Sequence, residues 1–347
     1  MRIQLNAKNR LFAFDVLNGE SILYAGMRQG LELPYGCATG TCGTCKVKCR
    51  AGRCVTTWPD APGNRVGKQE PDDLLMCQCT PVEDAILDTA ATVYMADPGS
   101  CLPHYVGGWI AEERLVAPDM LAFSLALGQP MNYEAGQFVA LQVPGVSGYR
   151  GYSITNFAPG VGLIDLLVKR KPGGQFSDWL FSRTRESTCI NVFGPLGRAT
   201  FSPSLGKNLL IIAGGSGIAG MMAILAHAVQ DGYFERHLGF AFFGVRTWND
   251  RFFLTELSEM RTAFPGRLSV TVALSDGEVP DGAETDYPGL TFARGLVHEV
   301  AIASMAGHCA NTRAYVAGPA AAVNVTLRSL IREARLTPTD IRYDKFD

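Results

Sequence analysis

The chain has 347 residues, 47% of them hydrophobic, enough for two or three domains that each bury a core of their own. Its 31 basic and 33 acidic residues leave a formal charge of −2 and form no long block of one sign, which excludes an electrostatic footprint for DNA or for an anionic membrane. Small molecules and other proteins are the partners this balance favours. No basic segment followed by an apolar core and a cleavage site opens the sequence, so no signal peptide is read and a cytoplasmic protein is expected.

The first stretch predicts short strands at "RIQLNA" and "LFAFDV" and a helix at "SILYAGMRQG", a compact α+β pattern. Next comes "PYGCATGTCGTCKVKC", residues 34–49, with the spacing Cys37-x4-Cys42-x2-Cys45, and a long gap leads to "LLMCQCTP" with Cys77 and Cys79. Such a spacing is that of a plant-type [2Fe-2S] site, where four thiolates hold two irons. The intervening Ala38, Thr39, Gly40, Thr41, Gly43 and Thr44 are small, so the backbone can wrap a cluster and aim N–H groups at its sulfurs. Zinc would want a second Cys-x2-Cys pair, which is absent. Spacing alone leaves the fourth thiolate open between Cys77 and Cys79. The other cysteines, Cys49, Cys54, Cys101, Cys189 and Cys309, read as small apolar side chains or surface thiols.

A turn-rich segment, "ADPGSCLPHYVGG", reads as a linker. Beyond it "MLAFSLAL", "QFVALQV", "GLIDLLVKR" and "TCINVFGPLG" predict the regular short strands of an antiparallel barrel. Within that barrel "GYRGYSITN" sets Arg150 and Tyr152 on one face of a strand, with Ser153 following. The arrangement offers a cation for a phosphate beside an aromatic wall for a ring. "VKRKPGGQFSDWL" then brings Lys169, Gly174 and Phe176 before Ser177, which is read as opening a helix whose free N–H groups would receive an anion.

From residue 205 the apolar strands "NLLIIAGG", "LGFAFFGV", "RLSVTVAL" and "RAYVAG" alternate with helical stretches, the pattern of a βαβ parallel sheet. Residues 209–229 are apolar over a length that would span a bilayer, but four glycines interrupt them where a buried strand would turn into a helix. That turn, "GGSGIAG", satisfies G-x-G-x-x-G through Gly215, Gly217 and Gly220. A classical Rossmann domain would place an acidic residue about twenty positions on for the ribose. Phe240 and Phe242 stand there instead, and the first acid past the second strand is Asp250. Past Arg246 the sequence offers only Arg251 nearby, a small basic set that favours NADH over NADPH.

These motifs together resemble the ferredoxin–NADP reductase superfamily, and over essentially the whole chain they resemble the three-domain reductase component of bacterial multicomponent oxygenases acting on aromatic and related hydrocarbons. Residues 1 to about 90 are similar to a plant-type ferredoxin, in which Leu-x-Cys-Gln, here Leu75-Met76-Cys77-Gln78, supplies the fourth ligand. R-x-Y-S matches Arg150–Ser153 and G-x-x-S matches Gly174–Ser177. G-G-[ST]-G matches Gly214–Gly217, with Gly244-Val245-Arg246 and Gly318-Pro319 following as they do in that family. "WPDAPG" and the final "IRYDKFD" are also similar to such reductases.

The resemblance implies a multidomain α+β and α/β protein: a β-grasp-type ferredoxin domain over 1–95, a linker over 96–106, an antiparallel FAD-binding barrel over 107–204 and a parallel-sheet NAD-binding domain over 205–347. It implies a [2Fe-2S] cluster on Cys37, Cys42, Cys45 and Cys77. FAD would be held by Arg150, Tyr152, Ser153, Lys169, Gly174, Phe176 and Ser177, with Phe346 covering the flavin ring. NADH would be held by Gly215, Ser216, Gly217, Arg246, Ala317, Gly318 and Pro319. A monomer is implied as well. No side chain is expected to act as acid or base, and His104, His227, His237, His298 and His308 read as structural.

Hydride is a two-electron package and the cluster takes one electron at a time, so a flavin between them is the converter. The implied function is electron transfer from NADH through FAD and the cluster to an oxygenase component or its small ferredoxin. Two positions depart from the family pattern: Gly220 stands where proline is usual, and Ala317 replaces the cysteine of Cys-Gly-Pro-Pro. Such departures suit an alternative, a redox-sensing regulatory protein with slow NADH reduction that acts through a DNA-binding partner. A plain oxidase would leave the ferredoxin module without a purpose.

Overall fold

A computed structural model describes residues 1–68, 70–182 and 188–346. The chain divides into two compact units. One comprises Met1–Gly108, Phe138–Tyr152 and Thr188–Gly197; the other comprises Trp109–Gln137, Ser153–Ser187 and Arg198–Asp347.

The first unit begins with strands β1 (Arg2–Asn6) and β2 (Leu11–Asp15), helix α1 (Ile22–Arg28), and strands β3 (Lys46–Ala51), β4 (Cys54–Thr56), β5 (Asp73–Leu75), β6 (Cys79–Pro81) and β7 (Ala85–Asp88). Five of them form a mixed sheet in the order β2-β1-β7-β3-β5, and β4 pairs with β6 apart from it. Strict alternation turns Ile3, Leu5, Phe12 and Phe14 inward, where helix α1 covers them. Ser21 caps that helix by accepting the Tyr24 N–H at 3.4 Å, and every residue from Ile22 to Met27 is buried.

Six antiparallel strands follow: β8 (His104–Ala117), β9 (Met120–Met131), β10 (Phe138–Gln142), β11 (Arg150–Ser153), β12 (Val161–Lys169) and β13 (Ile190–Leu196), in the order β11-β10-β13-β8-β9-β12. Strands β10 and β13 belong to the first unit with most of β11 and the start of β8; β9, β12 and the rest of β8 belong to the second. Ile154, directly after β11, bridges Leu166 of β12. Strand β8 opens at His104, inside the segment expected to be a linker. Helix α2 (Gln175–Leu180) is capped by Gly174, so Ser177 is its third residue rather than its first. Gln175 and Phe176 supply the opening residues because the pair of glycines ends three positions before Ser177.

The rest of the second unit is a parallel sheet of β14 (Asn208–Gly214), β15 (Gly239–Val245), β16 (Leu268–Leu274), β17 (Leu290–Arg294), β18 (Thr312–Pro319) and β19 (Ile341–Phe346), in the order β17-β16-β15-β14-β18-β19. Helices α3 (Ile218–Gln230), α4 (Leu254–Ala263), α5 (Ala283–Asp286), α6 (Val297–Ser304) and α7 (Ala320–Arg332) connect them. Leu209–Ala213 are buried without alternation, as a central strand with two covered faces requires. The long apolar stretch is thus a strand, a turn and a 13-residue helix, and among the described residues no helix is long and apolar enough to cross a membrane.

Candidate cofactor sites

The four cysteines expected to hold a cluster come together as two pairs. Cys45 Sγ and Cys77 Sγ are 3.3 Å apart in the interior of the first unit. Cys37 and Cys42 form the other pair: the Cys37 N–H reaches Cys42 Sγ at 3.3 Å and the Cys42 N–H reaches Cys37 Sγ at 3.4 Å. Thr39 and Thr41 aim two more N–H groups at Cys37 Sγ, at 3.4 and 3.3 Å. A contact from the Cys42 thiol, followed by Thr41 and the Thr39 and Cys42 amides, outweighs burial and pushes the Cys37 thiol down to about 4. The loop thus favours an anionic sulfur at Cys37, while the contact with Cys37 and burial push the Cys42 thiol up.

Among the described residues no group of three Cys, His, Asp or Glu side chains is gathered as one metal ion would need. Two thiol pairs are the kind of donor set that a two-iron centre takes. Cys79 lies elsewhere: it pairs with Thr56 across β4 and β6, with its Sγ 3.3 Å from Thr56 Oγ1.

Glycine makes the wrap possible at Gly43, whose φ is +75° and where an added Cβ would fall 2.8 Å from the Gly63 carbonyl. The Gly63 N–H in turn donates to the Gly40 carbonyl at 2.9 Å. Residues 61–66, part of the segment that contains "WPDAPG", thus pack directly on the cysteine loop. Gln78 adds a side-chain amide 3.7 Å from Cys77 Sγ.

Strand β11 passes beside the same loop. An added Cβ on Gly151 would lie 3.4 Å from the Phe138 ring and 3.7 Å from the Cys37 carbonyl oxygen. Arg150 and Tyr152, one step either side, share the other face. The Arg150 guanidinium lies 5.7 Å from the centre of the Trp58 ring, and its Nη1 donates to the carbonyls of Ser147 and Tyr149 at 3.3 and 3.0 Å. Burial raises the Tyr152 hydroxyl, while Arg150 pulls it the other way, so the ring presents a neutral phenol.

In the second unit the helix-opening role expected of Ser177 is not what its hydroxyl performs. The side chain is buried; it accepts the Lys171 N–H at 3.1 Å and donates back to the carbonyls of Lys171 and Gly174, at 3.0 and 3.1 Å. It fixes the shape of the glycine loop. Phe176 is buried beside Trp179, and Lys169 ends β12 with its exposed ammonium 3.3 Å from Asp119.

The nicotinamide elements converge. An added Cβ on Gly217 would lie 2.5 Å from the Ala317 carbonyl oxygen and 2.8 Å from the Gly318 nitrogen, so only glycine lets the turn after β14 meet the end of β18. On the opposite side Gly214 and Gly215 face open space. Helix α3, which follows the turn, approaches Ser153 of the same unit: the Cβ position of Gly220 is 3.4 Å from Ser153 Cβ. Arg246 follows β15 with an exposed side chain. Arg251 is engaged locally, 4.6 Å over the Trp248 ring and donating to the Trp248 carbonyl at 2.9 Å. Phe346, in β19, stands in register with Pro319 and packs partly buried against the core of this unit.

Several contributors escape sequence inspection. Tyr24 stacks on Phe193 with ring centres 4.2 Å apart and 10° from parallel, and Tyr149 meets it edge-on at 5.1 Å. The Tyr35 hydroxyl accepts the Gly197 N–H at 2.8 Å. Asp344, in register with Ala317, has a carboxyl that burial pushes up to about 6. Alternation along "IRYDKF" places it on the face of Phe346, which is the one signal that would have pointed to it.

Comparison with known proteins adds to this geometry. Residues 6–82 match the 2Fe-2S iron–sulfur cluster binding domain, residues 109–201 the oxidoreductase FAD-binding domain and residues 211–327 the oxidoreductase NAD-binding domain. The chain is 31% identical to the ferredoxin–NAD(+) reductase component of an alkene monooxygenase system from Xanthobacter autotrophicus, covering 96% of this chain and 98% of that one. It is 30% identical to the ferredoxin–NAD(P)(+) reductase CarAd of Metapseudomonas resinovorans, with 95% of each chain covered. Among solved structures, the ferredoxin reductase in carbazole 1,9a-dioxygenase superposes with a TM-score of 0.82 at 26% identity, covering 100% of this chain and 99% of that one.

Proposed function

We infer that this chain, which belongs to the reductase components of bacterial multicomponent oxygenases, carries electrons from NADH through FAD and a [2Fe-2S] cluster to an oxygenase component or its ferredoxin in hydrocarbon catabolism. Bound FAD supplies the conversion between a two-electron hydride and single electrons. The observation that carries the proposal is the pairing of Cys37 with Cys42 and of Cys45 with Cys77, under N–H groups aimed at the sulfur of Cys37.

We assign the cluster to these four thiols, with Gln78 orienting Cys77. Arg150 holds the flavin's phosphates, Tyr152 walls its ring, and Ser153 orients its edge. Gly174 and Ser177 shape a second loop that we assign to the same cofactor, with Lys169 and Phe176 on the same stretch. Gly215, Ser216 and Gly217 receive the dinucleotide on a turn that is open on the Gly214 side and braced on Ala317, Gly318 and Pro319. Phe346 lies in register with that element, which supports its role as the cover of the flavin ring. NADH rather than NADPH fits Arg251 being occupied by Trp248, which leaves Arg246 alone for a 2′-phosphate. The domain limits 1–95, 107–204 and 205–347 belong to the same proposal. The regulatory alternative has no observation of its own to support it.

Electron paramagnetic resonance on anaerobic, NADH-reduced protein tests the proposal. A reduced [2Fe-2S] signal is the expected result. A bleached flavin beside a cluster that stays oxidised would contradict it.

A further inference from the structure

Next to the cysteine loop lies a groove of about 780 Å³, lined by none of the residues assigned above to a cofactor. Over residues 46–68 the chain carries six basic residues (Lys46, Lys48, Arg50, Arg53, Arg65 and Lys68) against one acid, Asp60. Some of that charge is neutralised within the groove, where Lys48 pairs with Glu70 at 2.5 Å and Arg50 with Asp88 at 2.6 Å. Asp73, the third carboxylate of the groove, accepts the Glu70 N–H at 3.0 Å.

On the side nearer the cysteines the cations have no carboxylate partner among the described residues. Lys46, directly after Cys45, donates to the carbonyls of Val66 and Asn64 at 2.9 and 3.4 Å. Among the described residues no carboxylate lies within 4.0 Å of Arg65 or Lys68, and both side chains are exposed. Between them Val66 is 51% exposed, and its Cβ would lie 2.9 Å from a Cβ on Gly43. Thr44, the partner of Cys42 Sγ at 3.3 Å, is exposed as well. The outer edge of the cysteine loop is thus an apolar point ringed by positive charge.

Electron transfer falls steeply with distance, so an acceptor has to reach this edge, where Cys37 and Cys42 are both partly exposed while Cys45 and Cys77 are buried. We propose that the surface formed by Thr44, Val66, Lys46, Arg65 and Lys68 is the docking site for the electron acceptor, and that the acceptor presents an acidic protein face to it. The proposal rests on the electron-transfer function inferred above. Charges at the rim of such a contact act on the association rate and its salt dependence rather than on the chemistry inside.

The test uses the full-length holoprotein reduced with dithionite and two haem proteins as probe acceptors, acidic cytochrome b5 and basic cytochrome c. Transfer to cytochrome b5 is expected to slow by ~10-fold between ~0.05 and ~0.5 M salt, and transfer to cytochrome c to hold or rise. An Arg65→Glu/Lys68→Glu double variant should lower the low-salt rate to cytochrome b5 by ~10-fold and raise that to cytochrome c. Its cluster signal should stay that of the parent, since both side chains are exposed. Rates to cytochrome b5 that ignore both salt and charge reversal would overturn the proposal. Because dithionite supplies the electrons, a failure of NADH to reduce the cluster would count separately, against the function inferred above.

Discussion

The Tyr24 hydroxyl donates to the Ala38 carbonyl at 3.1 Å, tying helix α1 to the residue after Cys37. Ala38 is buried and holds a φ of +58°, a conformation that a side chain disfavours unless its surroundings impose it. The bond and the ring stack on Phe193 together impose it here. Tyr24→Phe keeps the stack and strands a buried carbonyl. It should cost about 1–3 kcal/mol of stability and hasten thermal bleaching of the cluster; urea unfolding and the visible spectrum measure the two effects.

Removing a single thiol separates the two bound chromophores. Cys42→Ser should abolish the cluster's absorbance and resonance signal while the flavin spectrum persists. A Cys42→Ser protein with its full iron–sulfur signal would refute the ligand assignment.

Arg150 contributes charge-assisted bonds to phosphate in this account. Arg150→Ala should weaken FAD about tenfold to a hundredfold, the equivalent of losing one or two such bonds. Fluorescence of flavin released on dilution reads that change directly.

Gly220 is the third residue of α3, where glycine costs a helix about 0.5–1 kcal/mol relative to alanine. An added Cβ would make ordinary contacts with Ser153 Cβ at 3.4 Å and Oγ at 3.5 Å. Gly220→Ala should therefore raise stability by up to about 1 kcal/mol and leave FAD content unchanged. The urea midpoint and the flavin-to-protein ratio check both parts.

His227 stacks on Phe157, with ring centres 3.8 Å apart, and its buried Nδ1 has no partner among the described residues. Burial holds its pKa below the ordinary 6.5, against a smaller opposing pull from Asp231. Above that value the imidazole is neutral in folded and unfolded chains alike, and its packing contributes fully. As pH falls below it the unfolded chain takes up the proton first, so stability declines toward the folded pKa. Urea midpoints at about pH 7.5 and about pH 5.5 should fall further apart in the parent than in His227→Phe.

Much of the architecture was legible because its signals are dense and local. Cys37, Cys42 and Cys45 lie within nine positions, and the apolar run of Leu209–Ala213 ends in glycines that only a strand-to-turn junction explains. Side-chain roles were less legible. Ser177 looked like the first residue of a helix, yet helix starts are set by the cap, and Gly174 takes that place. Tyr24, Tyr35 and Trp58 look in sequence like any core aromatic; the partners that give them a role, Ala38, Gly197 and Arg150, are 14, 162 and 92 positions away. The pairing of β4 with β6 was hidden for the same reason, because each strand is only three residues long and "CQCTP" has no period to show.

The central claim is that NADH reduces this protein through its flavin to the cluster. Anaerobic stopped-flow mixing with NADH, following flavin bleaching and cluster reduction at separate wavelengths, tests it most directly. The account predicts that both phases complete at ~10 s⁻¹ or faster, in the ordinary range of enzyme turnover. Reduction over minutes, with both cofactors still reducible by dithionite, would contradict it.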